Sequence, residues 1–547
     1  MRPNENPAGY TEGDASALLY RAARDLVAEG VGGATDPDDL LGTFFQVARL
    51  APDRPAVVHN GQTLTYGELA GLVRTVAFRL GFNCGTVAVL ATRSAETVIA
   101  LLGVLAAHGT YCPIDPTFPI DRQNTIVRSS GCDRLISTRP GLLIPEVVRV
   151  IHLPLVDCGL SIPNQSVPAV AIEPTMPAYA LFTSGSTGEP KAVIVPRGAI
   201  TIAVRSLREF LGITPSDRVL QFAALNWDTC FEEIFPALTA GATLVIDDEA
   251  YSGSFPRLLR MVAARQITVM DLPTAYWHEL VGYLVEEHTH LPECIRIVII
   301  GGEAARPARL AEWCSLGTER ARLINSYGCT ETALITHAAD LNGPFADLPA
   351  LPWIDAASVP MGRCMPHVVE YIDEAGELYI GGPSLALGYR DLPEATAERF
   401  VTLNVGSGEQ RYFRTGDRVA QDASGSLVHQ GRFDNQIKVR GVRIEPGEVE
   451  AVIAKHPSVI AVAVTGELRS GRMALIAYVV VKSSIDGKIV STEILKYLRL
   501  QAPSHLVPAH LVVVPQLVYT ASGKVDRKRS HQRYGVLFNS REDVNER

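Results

Sequence analysis

The segment at 181–196 reads LFTSGSTGEPKAVIVP and places glycine, serine, threonine and one lysine between two apolar runs. Closely spaced glycines let main-chain amides converge on an anion, and serine and threonine hydroxyls add donors to phosphate oxygens. Lys191 closes the segment with a positive charge. Glu189 and Pro190 separate Gly188 from this lysine, so the segment does not match the P-loop pattern. Taken alone, it predicts either a phosphate-binding loop or an ordinary surface turn.

Other polar segments accompany this loop in a fixed order. They read LTYGEL at 64–69, AAHGTYCPIDP at 106–116, NSYGCTET at 325–332, GELYIGGPSLALGYR at 376–390, YFRTGD at 412–417, GRFDNQIKVRGVRIEPGEVE at 431–450 and ASGKVDR at 521–527. Together with 178–193 they resemble the core motifs of the adenylation domains of nonribosomal peptide synthetases, within the acyl- and aryl-CoA synthetase and luciferase superfamily. The resemblance extends over residues 40–530. It favours the phosphate loop over the surface turn.

The resemblance implies a two-step reaction that uses ATP and Mg²⁺. A carboxylate attacks the α-phosphorus of ATP to give an acyl-adenylate and pyrophosphate, and a phosphopantetheine thiol on a carrier protein then takes the acyl group. Because two anions must meet in this reaction, positive charge and fixed geometry are required.

The resemblance also assigns nucleotide contacts to residues of this chain. The loop over the β- and γ-phosphates would comprise Thr183, Ser184, Gly185, Ser186, Thr187, Gly188 and Lys191. The adenine would lie along Gly302, Glu303, Asn325, Ser326 and Tyr327. Asp417 would accept hydrogen bonds from the ribose hydroxyls, with Arg432 beside it. Thr330 would donate to the α-phosphate, and Glu331 would bind Mg²⁺, which prefers hard oxygen ligands.

Three residues near the C-terminus carry further implied roles. Lys524 matches the lysine that reaches the reacting carboxylate and phosphate, and it lies on a different domain from the phosphate loop, so catalysis would require domain closure. Asp434 matches the family's hinge. Gly441 would face the pantetheine tunnel in the thioester-forming state.

The segment LNWDTCFEEIFPAL at 225–238 bears on the substrate. Asp228 stands where amino-acid-activating members of the family keep an aspartate for the substrate's α-ammonium group. An aspartate in an apolar surround costs free energy unless a cation joins it. The pocket positions that the resemblance assigns are Asp228, Thr229, Glu232, Asp271, Ile299, Gly301, Ser326, Leu334 and Ile335, with Lys524 as the tenth.

Glu232 and Asp271 would place two more carboxylates in the side-chain pocket. Such a pocket rejects neutral side chains, because its charges would stay buried and unpaired. The set resembles lysine-selecting pockets, so lysine is the expected substrate. Ornithine, arginine and β-lysine remain alternatives.

Composition excludes several other classes of protein. The 547 residues are 47% hydrophobic and 20% charged, with a formal net charge of −9 and no long basic run, which disfavours a nucleic-acid partner. The nine cysteines include no C-x-x-C pair, and the N-terminus lacks the order of a signal peptide. We expect a cytoplasmic protein without a membrane partner.

The pattern of apolar and polar residues along the chain predicts the elements that must position these residues. Short branched apolar runs alternate with amphipathic segments over 41–433, which predicts a large α/β domain of layered sheets and helices. A small mobile α+β domain would occupy 434–530. A helical extension is expected over 1–40, and a polar tail over 531–547.

Two other functions remain open at this point. One is an acyl- or aryl-CoA ligase, which Asp228 and the acidic pocket oppose. The other is a non-catalytic aminoacyl or nucleotide sensor, which the presence of Lys191, Glu331, Asp417 and Lys524 opposes. No segment after Lys528 resembles a carrier-domain attachment site, so we expect a free-standing enzyme that loads a separate carrier protein, with or without an MbtH-like helper.

Overall fold

The computed structural model describes residues 39–147, 149–153, 173–185, 189–344, 346, 358–406, 408–422, 425–439, 441–469, 472–482, 487–520 and 525–542. The chain divides into two compact units. One holds most of the residues up to Gly431, and the other holds the residues from Arg432 together with the segments 117–123 and 182–191. Along the main chain the change of unit falls between Gly431 and Arg432. The expected helical extension over 1–40 lies outside the described residues, apart from its last two positions.

The helices are α1 (Leu40–Leu50), α2 (Tyr66–Leu80), α3 (Ala95–Ala106), α4 (Ile120–Ser130), α5 (Arg197–Leu211), α6 (Thr229–Ala240), α7 (Phe255–Arg265), α8 (Thr274–Glu286), α9 (Pro307–Ser315), α10 (Pro393–Arg399), α11 (Pro446–Ala454), α12 (Gly487–Gln501) and α13 (Arg527–Glu542).

The strands are β1 (Pro55–His59), β2 (Gln62–Thr65), β3 (Thr86–Leu90), β4 (Thr110–Ile114), β5 (Arg134–Ser137), β6 (Arg149–His152), β7 (Pro177–Thr183), β8 (Lys191–Pro196), β9 (Arg218–Leu220), β10 (Thr243–Ile246), β11 (Val269–Pro273), β12 (Ile297–Gly301), β13 (Arg322–Gly328), β14 (Ile335–Asn342), β15 (Arg363–Cys364), β16 (Val369–Ile372), β17 (Glu377–Gly381), β18 (Gly388–Tyr389), β19 (Phe400–Asn404), β20 (Glu409–Gln421), β21 (Leu427–Arg432), β22 (Ile437–Val439), β23 (Val442–Ile444), β24 (Val459–Arg469), β25 (Arg472–Val481) and β26 (His510–Val513).

Two large sheets form the layers of the predicted α/β fold. One has the order β15-β14-β13-β12-β11-β9-β10-β1-β2, and the other has the order β18-β8-β7-β4-β3-β5-β6. Strands β9 to β13 pair in parallel, as do β3, β4 and β5. Parallel strands buried on both faces read as continuous apolar runs, which is why these segments are recognisable in the sequence. The α/β fold class is confirmed.

Helix α3 is buried along its whole length. It therefore carries no polar stripe, unlike a surface helix.

Helix α2 shows why the LTYGEL segment has its residue types. The Thr65 hydroxyl accepts from the Glu68 N–H at 3.3 Å, and the Glu68 carboxylate accepts from the Thr65 N–H at 2.8 Å. This capping box fixes the start of the helix.

The first unit also contains a five-stranded sheet that bears on the site. It has the order β16-β17-β20-β19, and β21 pairs with β20.

Among the described residues, no helix combines the length and the apolar character that crossing a membrane requires.

The second unit contains an α+β core. Strands β24, β25 and β26 form one sheet, and β22 pairs with β23. Apolar side chains of α11, α12, β24 and β25 pack together in its interior. These elements are the small α+β domain that the sequence predicts.

Helix α13 differs from the polar tail expected from residue 531. Ser530 and Tyr534 lie one helical turn apart and are both buried. The Ser530 hydroxyl accepts from the Val518 N–H at 3.0 Å, and the Tyr534 hydroxyl donates to the Gln516 carbonyl at 2.7 Å. The polar composition of this segment predicted a frayed end. The prediction missed the helix because two buried residues and their specific hydrogen bonds hold it, and composition does not show them.

A buried charge pair joins the start of α1 to the start of α5. The Asp39 carboxylate caps α1 by accepting from the Leu41 N–H at 3.0 Å, and it lies 3.9 Å from a guanidinium nitrogen of Arg197. Asp39 is 7% exposed and Arg197 is 1% exposed. Two nitrogens of Arg197 have no hydrogen-bond partner among the described residues, so Asp39 is the anion that offsets this buried cation.

Loss of Asp39 should therefore destabilise the first unit. We expect Asp39→Ala to lower the free energy of unfolding by about 3 kcal/mol, because a buried guanidinium loses its counter-charge. Asp39→Asn should lower the free energy of unfolding by a smaller amount, since its side-chain oxygen can still cap α1. Urea unfolding midpoints measure both effects. Exposed Asp53→Asn is the control, and midpoints for Asp39→Asn and Asp39→Ala equal to the control would contradict the assignment.

Candidate active site

The predicted pocket residues gather at one edge of the nine-stranded sheet. β11, β12 and β13 are parallel neighbours, so their carboxyl ends meet at the same edge. In this register Asp271 pairs with Ile299, and Gly301 pairs with Ser326. In open α/β sheets ligands bind beyond such strand ends. A Cβ atom on Gly301 would stand 2.4 Å from the Ser326 hydroxyl oxygen, so glycine leaves the room that this close approach needs.

Three carboxyl groups meet at this edge. Asp228 directly precedes α6, Glu232 lies one turn later, and Asp271 lies in β11. Glu232 and Asp271 are hydrogen-bonded to each other. Burial raises the pKa of Asp271 to about 7, and burial together with the charges of Asp271 and Asp228 raises the pKa of Glu232 well above its usual value. Near neutral pH the Glu232–Asp271 pair therefore retains a proton.

One oxygen of this cluster depends on the proton that the pair shares. Asp271 is 5% exposed, and its Oδ2 atom accepts no hydrogen bond from an N–H or hydroxyl group of the described residues. A buried carboxylate oxygen without a donor costs free energy. Once the shared proton leaves, this oxygen is an acceptor for a cationic group.

Asp228 connects this cluster with the segment after β13. Burial raises its pKa, while a hydrogen bond from the Thr330 hydroxyl lowers it. Thr330 is the residue predicted to donate to an α-phosphate. The carboxylate predicted for the amino group and the hydroxyl predicted for the phosphate are thus in direct contact.

The turn that carries Thr330 and Glu331 is held by its backbone. A Cβ atom on Gly328 would lie 2.1 Å from the carbonyl oxygen of Leu334, so only glycine permits this closure. Ala333 and Leu334 have φ values of +53° and +67°, a backbone conformation that residues other than glycine rarely adopt. Both are buried. Such strain persists only where the surrounding packing imposes it, and it is common at functional sites.

Glu331 is fully buried and is held by a tyrosine. The Tyr389 hydroxyl donates to its Oε1 atom at 2.8 Å, and the Glu331 carbonyl accepts from the Ala386 N–H at 2.9 Å. Tyr389 is not among the residues predicted from sequence. Gly388 and Tyr389 form β18, which pairs with β8, and this local pattern does not indicate a glutamate in the turn after β13 as a partner.

The donor chemistry at Glu331 fits Mg²⁺ that arrives with a nucleotide. Mg²⁺ is usually bound by one or two carboxylates plus substrate phosphates. In the described part of the chain, no three or more histidine, cysteine, aspartate or glutamate side chains form a group that could hold a metal ion. Glu331 would contribute one carboxylate to an ion that the phosphates also bind.

The phosphate loop begins where β7 ends. Thr183 is buried, and Gly185 lies so close to the carbonyl of Glu189 that a Cβ atom would stand 1.9 Å from its oxygen. Glycine is therefore required for this loop to close on itself. Lys191 begins β8. Ser186, Thr187 and Gly188 lie outside the described residues.

The residues predicted along the adenine point in different directions. The Asn325 amide donates to the Pro360 carbonyl at 2.7 Å, and its side chain is buried. The Ser326 hydroxyl donates to the Ile300 carbonyl at 3.0 Å. The Tyr327 hydroxyl donates to Asp417 Oδ2 at 2.6 Å. Gly302 has φ +87° and is exposed, and half-buried Glu303 follows it.

Asp417, the residue predicted to bind ribose, is nearly inaccessible. It lies in β20, and its Oδ1 atom is 3.0 Å from Nε2 of His429. His429 is another residue that the sequence motifs did not indicate. Burial and the Asp417 charge raise the pKa of Tyr327, so its hydroxyl stays protonated and donates.

Glu233 is a third missed residue. It is 1% exposed, and its carboxylate accepts from the N–H groups of Phe222 and Ala223 at 2.8 and 2.9 Å. It also accepts from the Gln221 amide at 3.1 Å. These bonds anchor the start of the segment that leads to Asp228. The adjacent glutamates at 232 and 233 were the available signal, because neighbours on a helix point in different directions.

In the second unit, Arg432 and Asp434 form a two-pronged ion pair, with distances of 2.7 and 2.8 Å. This pair fixes the local conformation at the predicted hinge. The Ser184 hydroxyl, in the same unit, donates to the Arg443 carbonyl at 3.1 Å. Gly441 has φ +80°. Lys524 lies outside the described residues.

Two family models match this chain. The model described as AMP-binding enzyme matches residues 44–390, and the one described as AMP-binding enzyme C-terminal domain matches residues 448–524.

Curated proteins with similar sequences are much longer. An isonitrile lipopeptide synthase of Streptomyces coeruleorubidus is 36% identical over 95% of this chain and 37% of its own length. Phenyloxazoline synthase MbtB of Mycobacterium tuberculosis is 34% identical over 92% of this chain and 36% of its own length. A dimodular nonribosomal peptide synthase of Bacillus subtilis is 32% identical over 89% of this chain and 21% of its own length. The chain thus spans well under half the length of these relatives.

Solved structures share the fold. An artificially fused adenylation–PCP di-domain, NpsA-ThdA from Klebsiella oxytoca, superposes with a TM-score of 0.75 at 25% identity and covers 88% of this chain and 94% of that one. The amide bond synthetase McbA of Marinactinospora thermotolerans has a TM-score of 0.75 at 24% identity, covering 90% and 99%. The chain belongs to the AMP-binding enzyme family, as an AMP-forming adenylation domain.

Proposed function

We propose that this chain activates a basic amino acid, lysine first, as an aminoacyl-adenylate with release of pyrophosphate. It then transfers the aminoacyl group to the phosphopantetheine thiol of a carrier protein. The observation that carries the substrate assignment is the buried Glu232–Asp271 pair, in which Asp271 Oδ2 has no donor among the described residues beyond the proton that the pair shares.

The spacing of the carboxylates favours a substrate with two amino groups. Asp228 would pair with the α-ammonium group, and Glu232 follows four residues later, about 6 Å further along the axis of α6. An extended lysine side chain spans a comparable distance between its two nitrogens. A distal ammonium group would then reach Glu232 and Asp271. Ornithine, arginine and β-lysine satisfy the charge but change this spacing.

The chemistry requires that repulsion between two anions be offset. Lys191 and Lys524 would supply positive charge to the phosphates and the substrate carboxylate, and Thr330 would donate to the α-phosphate. Asp417 would orient the ribose. Bound Mg²⁺ would neutralise charge on the phosphates.

The partner follows from the relatives. A structural neighbour is a fused adenylation and PCP protein, which supports a carrier protein as the acceptor of the aminoacyl group. Expression with and without an MbtH-like protein tests whether this chain needs such a helper.

The first experiment is amino-acid-dependent exchange of labelled pyrophosphate into ATP. We expect a strong response to lysine and weaker responses to ornithine and arginine across the twenty amino acids, ornithine and β-lysine. A response to neutral amino acids alone would refute the acidic pocket but leave adenylation intact. Thioester formation on free CoA without any exchange on amino acids would favour the acyl- or aryl-CoA ligase.

Removing either pocket charge should impair lysine use selectively. We expect Asp271→Asn and Glu232→Gln each to lower kcat/KM for lysine by about 30- to 1000-fold, because a buried cation loses a partner worth about 2–4 kcal/mol. KM for ATP should stay within about twofold, a margin worth only a few tenths of a kcal/mol. The matched control is Glu286→Gln at the exposed end of α8. Unchanged lysine kinetics in both pocket variants would refute the assignment.

The pocket should also make lysine binding depend on pH. A proton held by the Glu232–Asp271 pair must leave before a cation binds well, and the pKa of Asp271 is about 7. KM for lysine should therefore fall as pH rises from 6 to 8, by up to about tenfold per unit below that pKa. Asp228 and Glu233 also bear on this pair through their charges.

Steady-state exchange kinetics at each pH measure this dependence, with KM for ATP as the internal control. Asp271→Asn should flatten the lysine profile. A profile that keeps its slope in this variant would place the titrating group elsewhere.

A further inference from the structure

His429 stands beside a carboxylate that is otherwise closed off. Asp417 in β20 has a side chain that is 2% exposed, whereas the His429 side chain is 37% exposed. Two ring-bearing residues hold the carboxylate from different strands. Tyr327 at the end of β13 donates to Oδ2 at 2.6 Å, and Nε2 of His429 in β21 lies 3.0 Å from Oδ1.

The backbone after His429 selects the tautomer of its ring. The Gly431 N–H donates to Nδ1 of His429 at 3.3 Å, so Nδ1 is an acceptor and the ring proton lies on Nε2. Nε2–H then donates to Asp417. Gly431 has φ +109°, a conformation open to glycine, and this backbone turns its N–H back toward the ring. The H-x-G spacing at 429–431 thus fixes which nitrogen faces Asp417.

We propose that His429 is a positioning residue for the nucleotide ribose, and that it fixes the plane of the Asp417 carboxylate so that both ribose hydroxyls are recognised. This inference rests on the proposed function, in which Asp417 binds ribose. Tyr327 and His429 each bond one oxygen, and two bonds at opposite ends of a carboxylate restrict its rotation. Recognition of a diol by a carboxylate depends on that plane, because hydrogen bonds weaken steeply when their angles are poor.

Alignment of this carboxylate matters most for a ligand that presents two hydroxyl groups. Loss of either ribose hydroxyl removes one of the two hydrogen bonds that the alignment serves. His429 would therefore contribute to the preference for ribose over deoxyribose.

Equilibrium titration of the full chain with ATP, 2′-deoxy-ATP and 3′-deoxy-ATP, without amino acid, tests the inference. A glutamine amide can place a donor near the position of Nε2, whereas an asparagine amide lies near Nδ1 and phenylalanine has no donor. We expect His429→Asn and His429→Phe to reduce the preference for ATP over either deoxynucleotide by about tenfold. His429→Gln should keep the preference within about twofold, and His152→Asn on exposed β6 is the matched control.

Asp417→Asn separates the role of His429 from the ribose assignment itself. Loss of the ribose preference in Asp417→Asn together with its retention in folded His429→Asn would overturn the role of His429 and leave the proposed function intact. An unchanged preference in Asp417→Asn would overturn the ribose assignment and the role of His429 together. Thermal melting of each variant establishes that it is folded.

Discussion

Acidic groups packed against one another at the end of a parallel sheet set the main constraint on this molecule. Asp271 and Glu232 are buried side by side, and burial is the largest influence on both pKa values. As pH rises from about 4 towards 7, the unfolded chain releases protons that the folded pair still keeps, so stability falls over that range. Natural active sites commonly accept such a loss of stability for function. A bound cation would restore it, which couples substrate affinity to folding stability.

The rest of the fold serves to hold this cluster in place. The register of β11, β12 and β13 sets Asp271 beside Ile299 and brings Gly301 against Ser326. Glu233 secures the segment before Asp228 through three hydrogen bonds. The left-handed backbone at Ala333 and Leu334 brings the next turn against Gly328. A one-residue shift of β11 would turn the Asp271 side chain to the opposite face of the sheet and out of this cluster.

The layered sheets were accessible from sequence because their signals are local: runs such as that of β12 are apolar throughout. The pocket positions, among them Asp228 and Asp271, came from the family resemblance and stay predictions. Tyr389, His429 and Glu233 were not accessible, since each acts through a partner that is distant in sequence or through backbone N–H groups. The bond from the Asn325 amide to the Pro360 carbonyl was not accessible either, and the nucleotide contact that its motif predicts stays a prediction. Helix α13 was missed because two buried side chains, not overall composition, decide its packing.

Helix α13 bears on how such domains are recombined. The C-terminal family match ends at residue 524, yet Tyr534 packs in a cluster with Tyr478 and Leu517, and the Ser530 hydroxyl accepts a hydrogen bond from the Val518 N–H. A junction drawn at the edge of the matched region would strip this helix and leave an apolar face of the sheet exposed to solvent. Engineers who exchange adenylation domains between synthetases would therefore preserve the inherited fold best by crossing over beyond Glu542.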